Sequence, residues 1–322
     1  MVKVAVVGDD EQHLKTWSKL QEAEVLSIVP VKSTTPGKIA FQVNGGDRVE
    51  DVEELNLDVI DLCVPVEDRP VLIRQFSKQG THIICASPLA STLKEASNIV
   101  TECKENQVHL YVGNKRRYSP EYVDANNQVR NGNIGRAGVI RLSRGAPHPG
   151  GEKDIFSELG IDEFEWLLWT FGDVERVIAK HIKRKRRNSS QVEYALLSIR
   201  MVDHSFAHVA LSWAKTENGT SFELTGDKGM ITHNSTESNP ISLQVTASSQ
   251  EDQLEEMILD KSILQRQFAY VLDQAKKPNK PVNLANDALK SMQLVDAARK
   301  SAQTGQPVSI KEARWSYESR DD

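Results

Sequence analysis

The sequence predicts an α/β protein in two parts. An N-terminal Rossmann, doubly wound parallel sheet is followed by a C-terminal α/β domain with an open, largely antiparallel sheet. Three observations predict it. Through the first third of the chain, short and nearly continuous apolar runs alternate with longer amphipathic ones, the pattern of strands buried on both faces between helices. Near "RRYSPEY" (116–122) this gives way to strand-like runs separated by tight-turn sequences. The length, 322 residues, suffices for two domains with a core each. The expected division is 1–118 and 119–322.

The elements follow in order. "VKVAVV" (2–7) is a buried strand, 11–22 a helix, and "EVLSIV" (24–29) a second strand. "VIDLCVP" (59–65), "HIICA" (82–86) and "VHLYVG" (108–113) are further strands, with helices over 67–79 and 91–106 between them. The latter carries Leu93, Ala96, Ile99, Val100 and Cys103 at helical spacing. A helix over about 120–132 leads to the strand "GVIRLSRG", and 155–171 is a helix rich in aromatics (Phe156, Phe164, Trp166, Trp169). Strands are expected in 174–183, 192–201, 206–214 and 221–234, where "TENGT" and "TGDKG" supply turn residues. Helices over 260–275 and 285–303 close the chain.

Composition excludes several classes. A net charge of -5 with 26% charged residues gives no basic excess for nucleic acid. No stretch approaches 18 consecutive apolar residues, so no membrane span is expected. No basic segment runs into an apolar leader, and the three cysteines show no CxxC spacing, so reduced thiols in the cytoplasm are expected. The run "KHIKRKRR" (180–187) holds six Lys/Arg in eight residues and reads as a solvated hairpin, with a nucleic-acid or acidic-partner patch as the alternative.

Several segments carry a resemblance: "DLCVP", "ASPLASTLKEASNIVTECKENQVHLYVGNKRRYSPEY", "RNGNIGRAGVIRLSRGAP", "WLLWTFGDVERVIAK", "SWA", "FELTGDKGMI" and "ALKSMQLVDAARKSAQTGQPVSI". In their order and spacing the chain resembles, nearly end to end, the Gfo/Idh/MocA oxidoreductases. These are two-domain NAD(P)-dependent dehydrogenases acting mostly on sugars, polyols and related compounds. The resemblance implies NAD or NADP as cofactor, a small-molecule ligand, and a homo-oligomer formed through the C-terminal sheet.

Mapped onto this sequence, the family's chemistry-bearing positions are substituted. In the dinucleotide fingerprint, glycines permit a tight turn, close approach to the pyrophosphate, and packing of helix on strand. Gly8 keeps the first position, but Asp10 takes the second and His13 the third. An acid about 5 Å from a phosphate, at an effective dielectric near 20, is opposed by roughly 3 kcal/mol. Helix N-termini attract an anion by only about 0.3–1 kcal/mol. Asp9, Asp10 and Glu11 instead suit the capping of a helix. The second strand ends in Val29, Pro30, Val31, Lys32 and Ser33, without the acid that holds the adenosine ribose. Lys32 and Ser33 would meet a 2′-phosphate or simply form a polar loop.

The family's lysine before the proline of "ASPLA" is Ser87, followed by Pro88, and its P-x-x-x-H pattern becomes Pro65 to Arg69. A hydroxyl donates a hydrogen bond but brings no positive charge. The family's general acid/base histidine is Asp162, flanked by Glu158 and Glu165. On an α-helix the i, i+4, i+7 spacing puts these three on one face. They would then form a proton-transfer trio, a hard-cation site, or a solvated acidic face. The last is the reading taken, so no metal is expected. His148, in "GAPHPGGEKD", would supply an imidazole or stand exposed on its loop.

These substitutions lead to the expectation that conventional NAD(P) binding and hydride transfer are lost or impaired. The protein would then serve as a ligand-binding, regulatory or assembly partner. The alternative is an active NAD(P)-dependent dehydrogenase of a sugar, polyol or related small molecule, working through an atypical carboxylate site.

Overall fold

The computed structural model describes residues 1–8, 10–32, 39–46, 48–49, 55–185, 191–237, 241–245, 262–277 and 284–310. Asp9, Ser33, Arg186 and Arg187 lie outside the described residues. The chain divides into two compact units: Met1–Ser119 with Ile258–Leu289, and Pro120–Met257 with Lys290–Asp322. A single division at 118/119 therefore omits a return of the chain to the first unit.

The first unit is a seven-stranded sheet in the order β4-β3-β2-β1-β5-β6-β7. Its strands are β1 (Val2–Val7), β2 (Ala23–Lys32), β3 (Ile39–Val43), β4 (Arg48–Val49), β5 (Val59–Leu62), β6 (His82–Ala86) and β7 (Leu110–Gly113). β2, β1, β5, β6 and β7 are parallel, as their unbroken apolar runs require. Helices α1 (Glu11–Trp17), α2 (Arg69–Lys78) and α3 (Leu93–Glu105) alternate with them. β3 runs antiparallel to β2 and pairs along it from Ile28 with Val43 to Lys32 with Ile39. Ile39, Phe41 and Val43 alternate and precede the turn glycines Gly45 and Gly46, a signal the element-by-element reading passed over.

α1 ends at Trp17, shorter than expected, because the chain must reach β2 by Ala23; the Val2 N–H donates to the Glu22 carbonyl and closes that turn at 2.8 Å. Trp17 is fully buried and stacks at 4.0 Å on Phe268 of a later helix, α6 (Ile263–Ala275). Phe268, Val271 and Leu272 of α6 join Val4, Val6, Val59, Ile84 and Tyr111 in the core of this unit. A capping box on Ser262 and Gln265 starts α6.

The second unit is an eight-stranded sheet in the order β14-β13-β12-β8-β11-β10-β9-β15. Its strands are β8 (Ala137–Gly145), β9 (Val174–Lys185), β10 (Gln191–Met201), β11 (Phe206–Ser212), β12 (Gly219–Gly226), β13 (Gly229–Asn234), β14 (Ile241–Val245) and β15 (Val308–Ser309). Among the described residues of this unit, only β8 and β11 pair in parallel. Helix α4 (Pro120–Arg130) enters the unit, and a turn of π-helix (Phe156–Gly160) runs into α5 (Ile161–Phe171). A last helix, α7 (Leu284–Thr304), precedes β15. The Trp166 indole N–H donates to the Tyr122 carbonyl at 3.1 Å, and its ring stacks on Phe222 of β12, seating α5 against α4 and the sheet.

The faces of this sheet differ. Val177, Ala179, Ala195, Leu197, Ile199 and Val209 are buried on one side. On the other, Ile178, Ile182, Tyr194, Leu196 and Phe206 of three adjacent strands stand exposed.

Candidate functional site

In a doubly wound sheet, ligands collect at the carboxyl edge where strand order reverses, here between β1 and β5. Gly8 closes β1 with φ +113°, its N–H donating to the Ile28 carbonyl at 3.0 Å. A Cβ at this position would stand 2.3 Å from the Cys63 carbonyl oxygen, so only glycine lets the turn lie against β5.

Asp10 is the N-cap of α1: its Oδ1 accepts the His13 N–H at 2.9 Å. The carboxylate is folded onto its own helix, where the helix N-terminus meets part of its charge. His13, in the third fingerprint position, does not leave a gap between helix and strand. Its Nδ1 lies 2.7 Å from Oδ2 of Asp61, a buried residue of β5. The same oxygen accepts the Trp17 indole N–H at 2.8 Å, and the Cys63 thiol points to Oδ1 at 3.8 Å. Burial opposes a charged imidazole at His13, but the hydrogen bond and charge of Asp61, with Asp10 behind, outweigh it and raise its pKa. Burial pushes the Cys63 thiol well up, and the Asp61 and Asp10 charges add to that.

Ser87 and Pro88 follow β6 through a cis peptide bond. The Ser87 N–H donates to the Gly113 carbonyl at 3.4 Å, while its buried Oγ has no hydrogen-bond partner among the described residues. Arg69 clamps this turn from below: Nε donates to the Val64 carbonyl at 3.2 Å, and Nη1 to the carbonyls of Ala86 and Pro88. Three of its five N–H donors are thus spent on the backbone on either side of this turn. Pro65 is exposed, and its carbonyl accepts the Asp68 N–H in the turn before α2. Lys32 ends β2, which pairs with β3 past the level where a ribose-binding acid would stand.

In the second unit the three carboxylates do not share a face. Glu158 sits in the π-turn, whose wider winding breaks the 3.6-residue phase assumed from their spacing. It is half-exposed, 3.8 Å from Lys153. Asp162 Oδ2 accepts from Arg144 Nη1 at 2.7 Å, and the same Nη1 also donates to the Leu159 carbonyl at 3.3 Å. Glu165 is fully buried. The spacing thus yields three separate environments, neither a proton-sharing trio nor a solvated acidic face.

His148 is also not the exposed loop residue expected. It is only 10% exposed, with Nε2 3.4 Å from the buried Glu193 and Nδ1 accepting the Gly150 N–H at 3.0 Å. Glu193 is held as well by His181 at 2.8 Å, Lys183 at 3.2 Å and Gln191 at 2.6 Å. Its burial alone would raise its pKa, but these four donors hold it below the usual carboxylate range. Lys183, from the basic run, is therefore committed to this buried acid.

Two family models match the chain. "Oxidoreductase family, NAD-binding Rossmann fold" covers residues 2–114, and "Oxidoreductase family, C-terminal alpha/beta domain" covers residues 128–310. The chain belongs to the Gfo/Idh/MocA oxidoreductase family. Among the relatives of this Gfo/Idh/MocA member is the uncharacterized oxidoreductase YrbE of Bacillus subtilis, 22% identical over 96% of this chain and 90% of its own length. The myo-inositol 2-dehydrogenase of Thermotoga maritima is 25% identical over 52% of this chain and 53% of its own length. The fold is shared with the WlbA dehydrogenase of Bordetella pertussis, solved in complex with NADH and UDP-GlcNAcA. That match has a TM-score of 0.79 at 17% identity, over 96% of this chain and 99% of the other.

Three residues that hold these candidate positions in the Gfo/Idh/MocA member escaped sequence reasoning, and two had a signal. Asp61 is an acid inside an otherwise apolar strand, and Glu193 is an acid at an inward position of an alternating one. A charge in such a place must be paired. Arg144 had none, because its pairing with Asp162 depends on how the π-turn rotates α5.

Proposed function

We propose that the protein is a working NAD(P)-dependent oxidoreductase acting on a sugar, polyol or related small hydroxylated molecule. The reading is carried by Ser87. A buried hydroxyl without a partner costs about 1–3 kcal/mol, and this one stands where the family places a catalytic lysine. Its natural partner is a bound ligand. Family membership and the inositol dehydrogenases among the relatives support the same reading.

The first unit's residues fit a nicotinamide dinucleotide. The Gly8 turn admits backbone approach, and the Asp10 carboxylate is engaged by its helix instead of standing free at the turn. Bound there, the dinucleotide supplies the hydride acceptor or donor. The chain's own residues bind and orient: Gly8 sets the turn, Arg69 fixes the backbone of residues 86–88, and the Ser87 hydroxyl offers a hydrogen bond. In the second unit, Asp162 and Arg144 offer an acceptor and a donor 2.7 Å apart, suited to hydroxyl groups of a polar substrate. We also propose that copies of the chain associate through the face carrying Ile178, Ile182, Tyr194, Leu196 and Phe206, since an apolar patch of this kind marks an interaction surface.

A panel of inositols, aldoses and alditols, incubated with NAD⁺ or NADP⁺ and followed by nicotinamide absorbance, tests the proposal. Turnover is expected with at least one member, and Ser87→Ala should lower kcat. A folded protein that neither turns over any member nor binds either dinucleotide returns the function to a binding or assembly partner.

A further inference from the structure

Among the described residues, a group of sulfur, nitrogen and oxygen donors lies at the joint of β1, α1 and β5. One carboxylate oxygen of Asp10, one ring nitrogen of His13 and the Cys63 thiol lie within 4.8 Å of one another. They come from three different segments: the turn after β1, the first turn of α1, and the residue after β5. We propose that Asp10, His13 and Cys63 bind a zinc-class divalent cation.

The donor chemistry selects the metal. Thiolate, imidazole and carboxylate together suit zinc, whereas calcium and magnesium take oxygen ligands. A tetrahedral zinc with bonds of about 2.0–2.3 Å separates its donors by roughly 3.3–3.8 Å, so closure needs shifts of about 1–1.5 Å at most. All three residues are half-buried, so their side chains are neither locked in the core nor free in solvent. Asp61 supplies the support such sites carry. It holds His13 through Nδ1 at 2.7 Å and is fixed in turn by the Trp17 indole N–H at 2.8 Å. A carboxylate behind a ligating histidine orients the ring and raises its basicity. Binding displaces the Cys63 thiol proton to solvent, leaving a thiolate on the cation; three protein donors leave a fourth position for water or an anion.

The site leaves Ser87 and Asp162 untouched but shares Asp10 with the turn at which the dinucleotide is placed, so the cation is titrated in the absence of dinucleotide. It is tested with metal alone, so its outcome is independent of dinucleotide turnover. Titration of the whole chain with Co²⁺ is expected to give a thiolate-to-cobalt charge-transfer band and the visible bands of four-coordinate cobalt, saturating at one ion per chain and abolished by Zn²⁺. Cys85 and Cys103 are buried at 2% exposure, so the band should vanish in Cys63→Ser, whose folding is checked by its melting temperature. His13→Ala should weaken binding at least tenfold, and Asp61→Asn about 10–100-fold. Absence of the charge-transfer band in the wild-type chain, or its persistence in Cys63→Ser, overturns the proposal.

Discussion

Replacing Asp10 with asparagine removes the charge at the second fingerprint position and keeps the cap. Asparagine and aspartate are comparable N-caps, so the bond accepted from the His13 N–H, 2.9 Å in the wild type, is retained. An unscreened acid about 5 Å from a pyrophosphate oxygen would oppose it by roughly 3 kcal/mol at an effective dielectric near 20. Asp10 is half-exposed and already turned to its helix, which offsets about 0.3–1 kcal/mol, and solvent screens more. A residual of about 1–2 kcal/mol makes NADH bind roughly 5–30-fold more tightly to Asp10→Asn than to the wild type. The assay is nicotinamide fluorescence, read at low and high ionic strength. Because the Debye length falls from about 10 Å at 0.1 M to about 3 Å at 1 M, the ratio of the two dissociation constants should shrink with salt. Asp10→Gly should behave similarly, with a few tenths of a kcal/mol lost from the cap. Equal affinities of wild type and Asp10→Asn at low salt would refute the electrostatic reasoning at this turn.

Three further outcomes follow from the same structure. Asp61→Ala leaves the fully buried Trp17 indole N–H without an acceptor and should destabilise the chain by about 1–3 kcal/mol in urea unfolding, while Asp61→Asn costs less. Because Asp61 raises the His13 pKa above 6.5, the stability of that pair is fully present below pH 6.5 and is lost as pH rises through the raised value. The penalty of Asp61→Asn should therefore shrink with rising pH, and a penalty equal on both sides of pH 6.5 contradicts the pairing. Gly8→Ala combines φ +113° with a 2.3 Å approach to the Cys63 carbonyl, and the backbone strain alone costs about 1–3 kcal/mol; an unchanged melting temperature would show that the turn is misplaced. Leu196→Asp, in the middle of the exposed apolar face, should shift the chain from oligomer to monomer in light scattering, and a monomeric wild type would exclude that interface.

The parts of the fold legible in the sequence were those set by local pattern. The apolar run ending in Gly8 marked β1 and its turn, and the strand–helix alternation to Gly113 marked the parallel sheet. What was not legible depended on long-range partners. α6 packs its Phe268 on Trp17 across some 250 residues of chain, which no local periodicity reports. The antiparallel pair of β2 and β3 needed the Ile39–Val43 alternation to be weighed against the usual crossover helix. At the candidate site, too, the environment of each residue depends on partners remote in sequence. Spacing put Glu158, Asp162 and Glu165 on one face, and a single π-turn undid it. His148 stands on its loop but not exposed, because the buried Glu193 of β10 holds its ring. The capping role expected of Asp10 is the one the structure shows, its carboxylate accepting the His13 N–H at the start of α1.

Whether the first unit holds a dinucleotide decides the proposed function most directly. Titrating the purified wild-type chain with NADH and NADPH, following nicotinamide fluorescence and the melting temperature together, measures it. Saturable binding of one of the two in the micromolar range is expected, with a rise in melting temperature on binding. No fluorescence response and no thermal shift from either, in a chain that melts cooperatively, would contradict it.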